Sequence, residues 1–332
     1  MSRSTHADHI LQSTPDTVVR GYLSPFVKPA LRIYPGETVQ IDTVTGAGVP
    51  QEDPEGFFNE QGIPFSDSVQ AIVDIVKNVE GRGHILTGPV YIEGAEPGDM
   101  LEIRILDLKL RDLYAVNRAR PGAGALPDLA QETYTKVISY DMERNTALFN
   151  ENIDIPLAPF MGVMGLAATE KVPSGPPGRF GGNLDLKELT KGATLFLPVM
   201  VEGGLFYTGD AHGAQGNGEA NINGLETSLI GVFEFILHKG TSLQWPTAET
   251  PTHFIVMGLD EDLNIAARIA VEEAIRFLSG RMGLSPMDAY ALSSLAVDFE
   301  VTQLVNGVKG VHGMIAKKLF KNLEDTYWAK TT

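Results

Sequence analysis

The 332-residue chain contains no cysteine. Disulfides, thiolate zinc sites, iron–sulfur clusters and a cysteine nucleophile are thereby excluded, so any metal must sit on imidazole, carboxylate, amide or backbone oxygen. Long apolar runs are also missing: none approaches the roughly 20 residues that a helix needs to cross a bilayer. The opening MSRSTHADHILQSTPDTVVR has no apolar signal core, and the expectation is a soluble, cytoplasmic protein. Basic residues are scarce, with 26 Lys and Arg against 42 Asp and Glu, for a formal charge of −16. Such a balance speaks against a nucleic-acid partner, which needs a basic face, and against an anionic substrate or membrane surface. A local basic pocket would escape that average. Neither Ser174 nor Ser228 sits in a G-x-S-x-G elbow, which makes both poor nucleophiles.

Glycine (35) and proline (20) are plentiful, and hydrophobic residues make up 43% of the chain. This composition favours a globular protein of many turns and short strands over a helical bundle. ALRIYPGETVQIDTVTG (30–46) has two alternating runs joined by Pro35-Gly36. HILTGPVYIEGAEPGDMLEIRILDLKL (84–110) repeats the device, with Pro97-Gly98-Asp99 leading into Leu101, Ile103 and Ile105, and KGATLFLPVMVEGG (191–204) is a shorter instance. RARPGAGALPDLA (118–130) and EKVPSGPPGRFGGN (170–183) read as loops. In the last third, Ala266, Ala270, Ala274 and Phe277 share a helical face. Ser285-Pro286 opens a second helix, and 297–315 returns to strands around an Asn306-Gly307 turn. The predicted fold is a β-rich α+β, with a β-sandwich-like core, added α/β elements and a C-terminal helical hairpin. One domain is expected over 1–332, with β-rich (18–259) and helical/strand (260–320) sub-parts.

Polar chemistry concentrates in FYTGDAHGAQGNGE (206–219), where Asp210, His212, Gln215 and Glu219 stand among glycines. Asp210 and His212 lie two apart and would point the same way from a strand. Aspartate and histidine ligate metals, and a nearby glutamate handles a water proton. A hydrogen-bonded polar loop would show the same residues, because Asp and Asn in Gly-rich turns usually satisfy backbone groups. Asn183 and Asp185 form a second polar pair beside glycines, and His84 heads the strand HILTGPVYI.

HILTGPVYIEGAEPGDMLEIRILDL, GGNLDLKELTKGATLFLPV and GDAHGAQGNGE, in this order, closely resemble the acetamidase/formamidase family of short-chain amide hydrolases. RPGAGALPD, PLAPFMGVMG (156–165) and VHGMIAKKLF (311–320) extend the resemblance over residues 18 to 320. It implies hydrolysis of a small neutral carboxamide to acid and ammonia, a homodimer, and a site among His84, Asn183, Asp185, Asp210, His212 and Glu219. The family lacks a Ser-Ser-Lys arrangement, and no cysteine is present here, which together favour metal-activated water. Within that framework a divalent metal, zinc, is expected on His84, Asp185 and His212, with Asp210 as a fourth ligand or orienter; calcium would instead take the oxygens of Asn183, Asp185, Asp210 and Glu219. Glu219 would carry the water proton, while Asn183 and Gln215 would bind substrate. Asp42, in IDTVTG, is a further candidate acid, and its alternative reading is an exposed strand acid leading into a turn. His312 reads as a packing or subunit-contact residue. Asn221 and Asn223 depart from many family members, which bears on substrate identity. A lactam hydrolase with the same site, or a non-catalytic metal- or ligand-binding β-protein, are the alternatives.

Overall fold

The structure is a computed structural model that describes residues 7–46 and 48–321. Two large sheets dominate it. The nine-stranded sheet runs in the order His9–Leu11, Thr38–Asp42, Leu229–His238, Met100–Leu110, Thr194–Pro198, Thr247–Glu249, His253–Asp260, Lys309–Ala316 and Val297–Gln303. The six-stranded sheet is built on Gly181–Asn183, Phe160–Leu166, Phe206–His212, Ile85–Ile92 and Val18–Arg20, with Leu31–Ile33 also pairing on Ile85–Ile92. Alternating side chains explain how they face each other. Leu101, Ile103 and Ile105 of the larger sheet share one apolar cluster with Met161, Met164 and Phe206 of the smaller. Phe206 lies 6.2 Å from Phe233 and 5.2 Å from Phe235, ring centre to ring centre, and so pins the two sheets together.

A four-stranded sheet of Tyr114–Ala119, Tyr134–Asp141, Thr146–Asn150 and Ile153–Pro156 flanks this core, and residues 120–133 form the loop expected there. The C-terminal helical hairpin is also as expected. Helix Leu263–Met282 is capped by Asp262, which accepts hydrogen bonds from the Asn264 and Ile265 N–H groups. It ends at Gly283 in the left-handed conformation that a helix stop favours. Ala266, Ala270, Ala274 and Phe277 are buried, as the helical spacing predicts. Ser285 caps the second helix, Pro286–Ala296.

Two features differ from expectation. Helices Pro54–Glu60 and Asp67–Asn78 interrupt a first half read as β-rich. The second buries Val69, Ile72, Val73 and Val76, β-branched residues that also suit strands, but their spacing and the Ser66 cap select the helix. The final hairpin closes not on a two-residue Asn-Gly turn but through residues 304–308. The Gln303 side chain takes over that loop: its Oε1 accepts from the Val305 and Asn306 N–H groups, and its Nε2 donates to the Val308 carbonyl at 2.7 Å. Among the described residues no helix is long and apolar enough to cross a membrane.

The Pro97-Gly98-Asp99 turn shows how such turns are locked. Asp99 is buried, and its carboxylate accepts from Lys239 Nζ at 2.7 Å and from the Glu96 and Gly240 N–H groups at 2.9 Å each. Burial alone would raise its pKa, but these donors outweigh burial and hold the carboxyl below its ordinary value. A depressed folded-state pKa contributes stability that is present above the unfolded value, about 4, and is lost as pH falls through the folded one. Asp99→Ala is therefore expected to destabilise the protein by about 1–3 kcal/mol at pH 7, with the gap to wild type shrinking at pH 3. Urea unfolding at both pH values checks this, and an equal loss at each would remove the charge from the explanation.

Candidate active site

One end of the six-stranded sheet gathers polar groups from distant parts of the sequence. Strand Phe206–His212 pairs with Phe160–Leu166 on one side and with Ile85–Ile92 on the other. Asp210 and His212 leave its C-terminal end, while His84 stands just before Ile85. Strand Gly181–Asn183 places Asn183 opposite Val163, and Asp185 follows two residues later, its N–H donating to the Gly162 carbonyl at 3.2 Å. Gly162 is the vacancy that lets the acids meet. A Cβ there would lie 2.6 Å from Asp185 Oδ1 and 2.9 Å from Asp210 Oδ2.

His212 is the centre of the arrangement and is fully buried. Its Nε2 lies 2.9 Å from Glu226 Oε1 and 3.9 Å from Asp210 Oδ2, and its Nδ1 lies 3.9 Å from Asp185 Oδ1. The Glu226 contact is close but off the line of the N–H, so neither ring nitrogen makes a hydrogen bond. Asp185, Glu219 and Glu226 are buried too, and Asp185 Oδ1, Glu219 Oε2 and Asn183 Oδ1 have no hydrogen-bond partner. The second oxygen of Asp185 accepts from Asn306 Nδ2 at 2.6 Å. Asp185, Asp210 and Glu219 all have positive φ, at 49°, 53° and 45°. For a non-glycine residue each costs about 1–2 kcal/mol, and such strain collects where side-chain direction matters more than backbone comfort.

Electrostatics follow from the crowding. Burial, then Asp210, pushes the Asp185 carboxyl up to about 7. Burial and Asp185 raise Glu219 well above the usual carboxylate range, and burial raises Glu226. The His212 pKa is raised as well, but for a different reason: burial opposes its charging, and Glu226, Asp210 and Asp185 outweigh burial.

These groups fit a bound cation. Asp210, His212 and Glu226 offer ligand atoms within 4.8 Å of one another, and so do Asp185, His212 and Glu219. Unpaired buried nitrogen and carboxylate oxygen are costly unless something positive satisfies them. Imidazole and carboxylate are both ligand types that divalent cations accept.

The remaining predicted residues take varied places. His84 is a quarter exposed, with Nδ1 2.9 Å from Ser174 Oγ and Nε2 3.7 Å from Asp210 Oδ2, so it stands beside the acid cluster rather than inside either triad. Gln215 touches the site through the backbone, donating from Nε2 to the Asp185 carbonyl at 3.1 Å. The Asp42 carboxylate accepts from Gln40 Nε2 at 3.1 Å and belongs to neither triad. A cavity of about 790 Å³ opens over the cluster, lined by His84, Asn183, Asp210, Glu219 and Glu226 among others. Sequence reasoning missed Glu226, and it read Asn306 only as half of an Asn-Gly turn. Asn221 and Asn223 lock their loop to strand Tyr114–Ala119. The Asn221 amide exchanges hydrogen bonds with Asn117, at 2.6 and 3.3 Å, and Asn223 Oδ1 accepts from the Arg118 N–H at 3.0 Å.

The chain resembles known acetamidases in both sequence and structure. The acetamidase of Mycolicibacterium smegmatis is 28% identical over 206 residues, which is 42% of this chain and 50% of that protein. The chain thus spans about half the length of that curated relative. An acetamidase from Bacillus halodurans has a similar structure, with a TM-score of 0.78 at 32% identity, covering 95% of this chain and all of that one. A predicted acetamidase/formamidase from Thermoanaerobacter tengcongensis superposes with a TM-score of 0.80 at 26% identity, covering 94% of this chain and 96% of its own. Residues 23–175 and 174–316 match the Acetamidase/Formamidase family pattern, and the chain belongs to that family.

Proposed function

We propose that the protein hydrolyses the C–N bond of small carboxamides to acid and ammonia, using a divalent metal at His212. The observation that carries this reading is the buried imidazole of His212 set among four carboxylates in a family of acetamidases and formamidases. His212 Nε2, Asp210 and Glu226 would hold the ion, because Asp210 and Glu226 also line the cavity; His84 stands near enough to Asp210 to join them. Asp185 faces the other ring nitrogen and orients the imidazole, as a carboxylate beside a ligating histidine does. When bound, such an ion supplies Lewis acidity toward a carbonyl oxygen and toward water.

The protein's own groups do the rest. Asn183 Oδ1, buried and unpaired at the cavity wall, accepts a hydrogen bond from the amide N–H of the substrate and so fixes its orientation. Glu219, also on that wall, takes a proton from the attacking water and returns it to the leaving nitrogen. Burial and the neighbouring Asp185 raise its pKa, which makes the carboxylate a stronger base toward that proton. Gln215 holds the Asp185 backbone in its left-handed turn.

Two experiments test the reading. Ammonia release from formamide and acetamide, and ring opening of a γ-lactam, are measured on protein stripped by a chelator and reloaded with single metals. Activity is expected to vanish on stripping and return with zinc. Activity untouched by complete removal would sink the metal, and rescue by calcium alone would move the ion to the oxygen donors Asn183, Asp185, Asp210 and Glu219. Glu219→Gln should lower kcat on the order of 10²–10⁴-fold while the protein retains wild-type zinc by elemental analysis. A near-normal kcat would take the proton role from Glu219.

A further inference from the structure

The cavity over the acid cluster also carries four arginines, Arg20, Arg82, Arg118 and Arg120, in a chain whose net charge is −16. Its volume, about 790 Å³, exceeds what acetamide requires. At about 30 Å³ per water-sized heavy atom, a four-atom amide fills roughly 120 Å³. Room and positive charge both remain after such a substrate is seated.

The arginines are not equivalent. Arg20 is buried, and its Nη1 donates to the Val76 and Val79 carbonyls at 3.2 and 3.0 Å. It therefore caps the C-terminal end of helix Asp67–Asn78, a structural task. Arg82 and Arg120 are exposed at the rim. Arg118 is half-buried, and its guanidinium lies on the backbone of Gly48, where a Cβ would come within 1.8 Å of Nη1. Gly48 has φ +76°, so both its shape and its conformation make room for that guanidinium. The Nε of Arg118 is buried without a hydrogen-bond partner. Among the described residues none of the four arginines forms an ion pair with a carboxylate, although Glu52, Asp210, Glu219 and Glu226 line the same cavity.

Arg118 is also placed by strand geometry. Val116, two residues earlier on strand Tyr114–Ala119, donates its N–H to the Glu226 carbonyl at 2.9 Å. Arg118 therefore stands roughly 7 Å further along the strand than the level of Glu226. Arg82, which also lines the cavity, precedes His84 by two residues. The cavity thus joins an acidic floor to a guanidinium rim.

We propose that the preferred substrate is an amide bearing a second, anionic group, namely the monoamide of a short dicarboxylic acid, with Arg118 as the carboxylate contact and Arg82 and Arg120 supplying attraction at the rim. This rests on the amide-hydrolysis reading and refines its substrate class. For succinamate, the C–N bond breaks and a C–O bond to water forms. Both water hydrogens end on the leaving nitrogen, giving succinate dianion and ammonium. Simple neutral amides react at the same floor without the second anchor.

The test compares kcat/KM for succinamate with that for 4-methylpentanamide, whose isopropyl end has the shape of the carboxylate without its charge. It uses the full chain in its active metal-loaded form. The ratio is expected to exceed about 10 in the wild type and to fall on the order of 10-fold in Arg118→Gln, mainly through KM for succinamate. Arg120→Gln, at an exposed position, gives a smaller fall and guards against loss of folding in the first variant. A wild-type ratio at or below one, or a ratio that Arg118→Gln leaves unchanged, overturns the proposal while leaving amide hydrolysis in place. If neither amide is hydrolysed, the hydrolase reading falls separately. Calorimetric titration with succinamate then decides: binding weakened about 10-fold by Arg118→Gln supports the anion site, and no binding overturns it.

Discussion

The structure depends on holding four carboxylates around one buried imidazole. Two unit charges about 4 Å apart interact by about 1 kcal/mol in water and by several-fold more where water is excluded. Asp185, Asp210 and Glu226 all lie within 4 Å of His212, and Glu219 shares ligand distance with two of this group. Left to relax, such a set would protonate, turn outward or draw in water. The raised carboxyl and imidazole pKa values register that pressure.

What resists relaxation is backbone. Asp210 and His212 belong to a strand paired on both sides, and Asp185 is tied through its N–H, its carbonyl and one carboxylate oxygen to three separate segments. The left-handed turns at Asp185, Asp210 and Glu219 together cost a few kcal/mol. The apolar seam between the two large sheets, with Phe206 against Phe233 and Phe235, offsets that cost and begins only a few residues from the site. Hydrophobic packing at one end of strand Phe206–His212 thus stabilises electrostatic crowding at the other.

Much of this was legible in the sequence, for a physical reason. Turns announced by Pro-Gly and strands with period-2 alternation are local signals, and so are the helix caps at Asp262 and Ser285. The polar glycine motifs likewise advertised Asp185, Asp210, His212 and Glu219, because strained loop backbone leaves a mark in glycine content. Glu226 left no such mark. It reaches His212 through an isolated strand bridge, a pairing that no short window contains. Asn306 and Arg118 were hidden for the same reason: each acts on residues about a hundred positions or more away, or on a cavity that exists only after folding. The arginine rim was masked further by averaging, since an acidic total conceals a basic locality. Helix Asp67–Asn78 was obscured by β-branched residues whose type suggests strand while their spacing dictates helix.

The hydrogen bond from Asn306 to Asp185 spans 121 positions of the chain. During synthesis, residues 84 to 226 emerge well before the segment that carries Asn306. A ribosome-bound chain at that stage has every candidate ligand of the cluster but lacks the strut that fixes Asp185. The cluster is therefore completed late, when the last hairpin docks, so that an unfinished polypeptide holds Asp185 less firmly than the finished fold does.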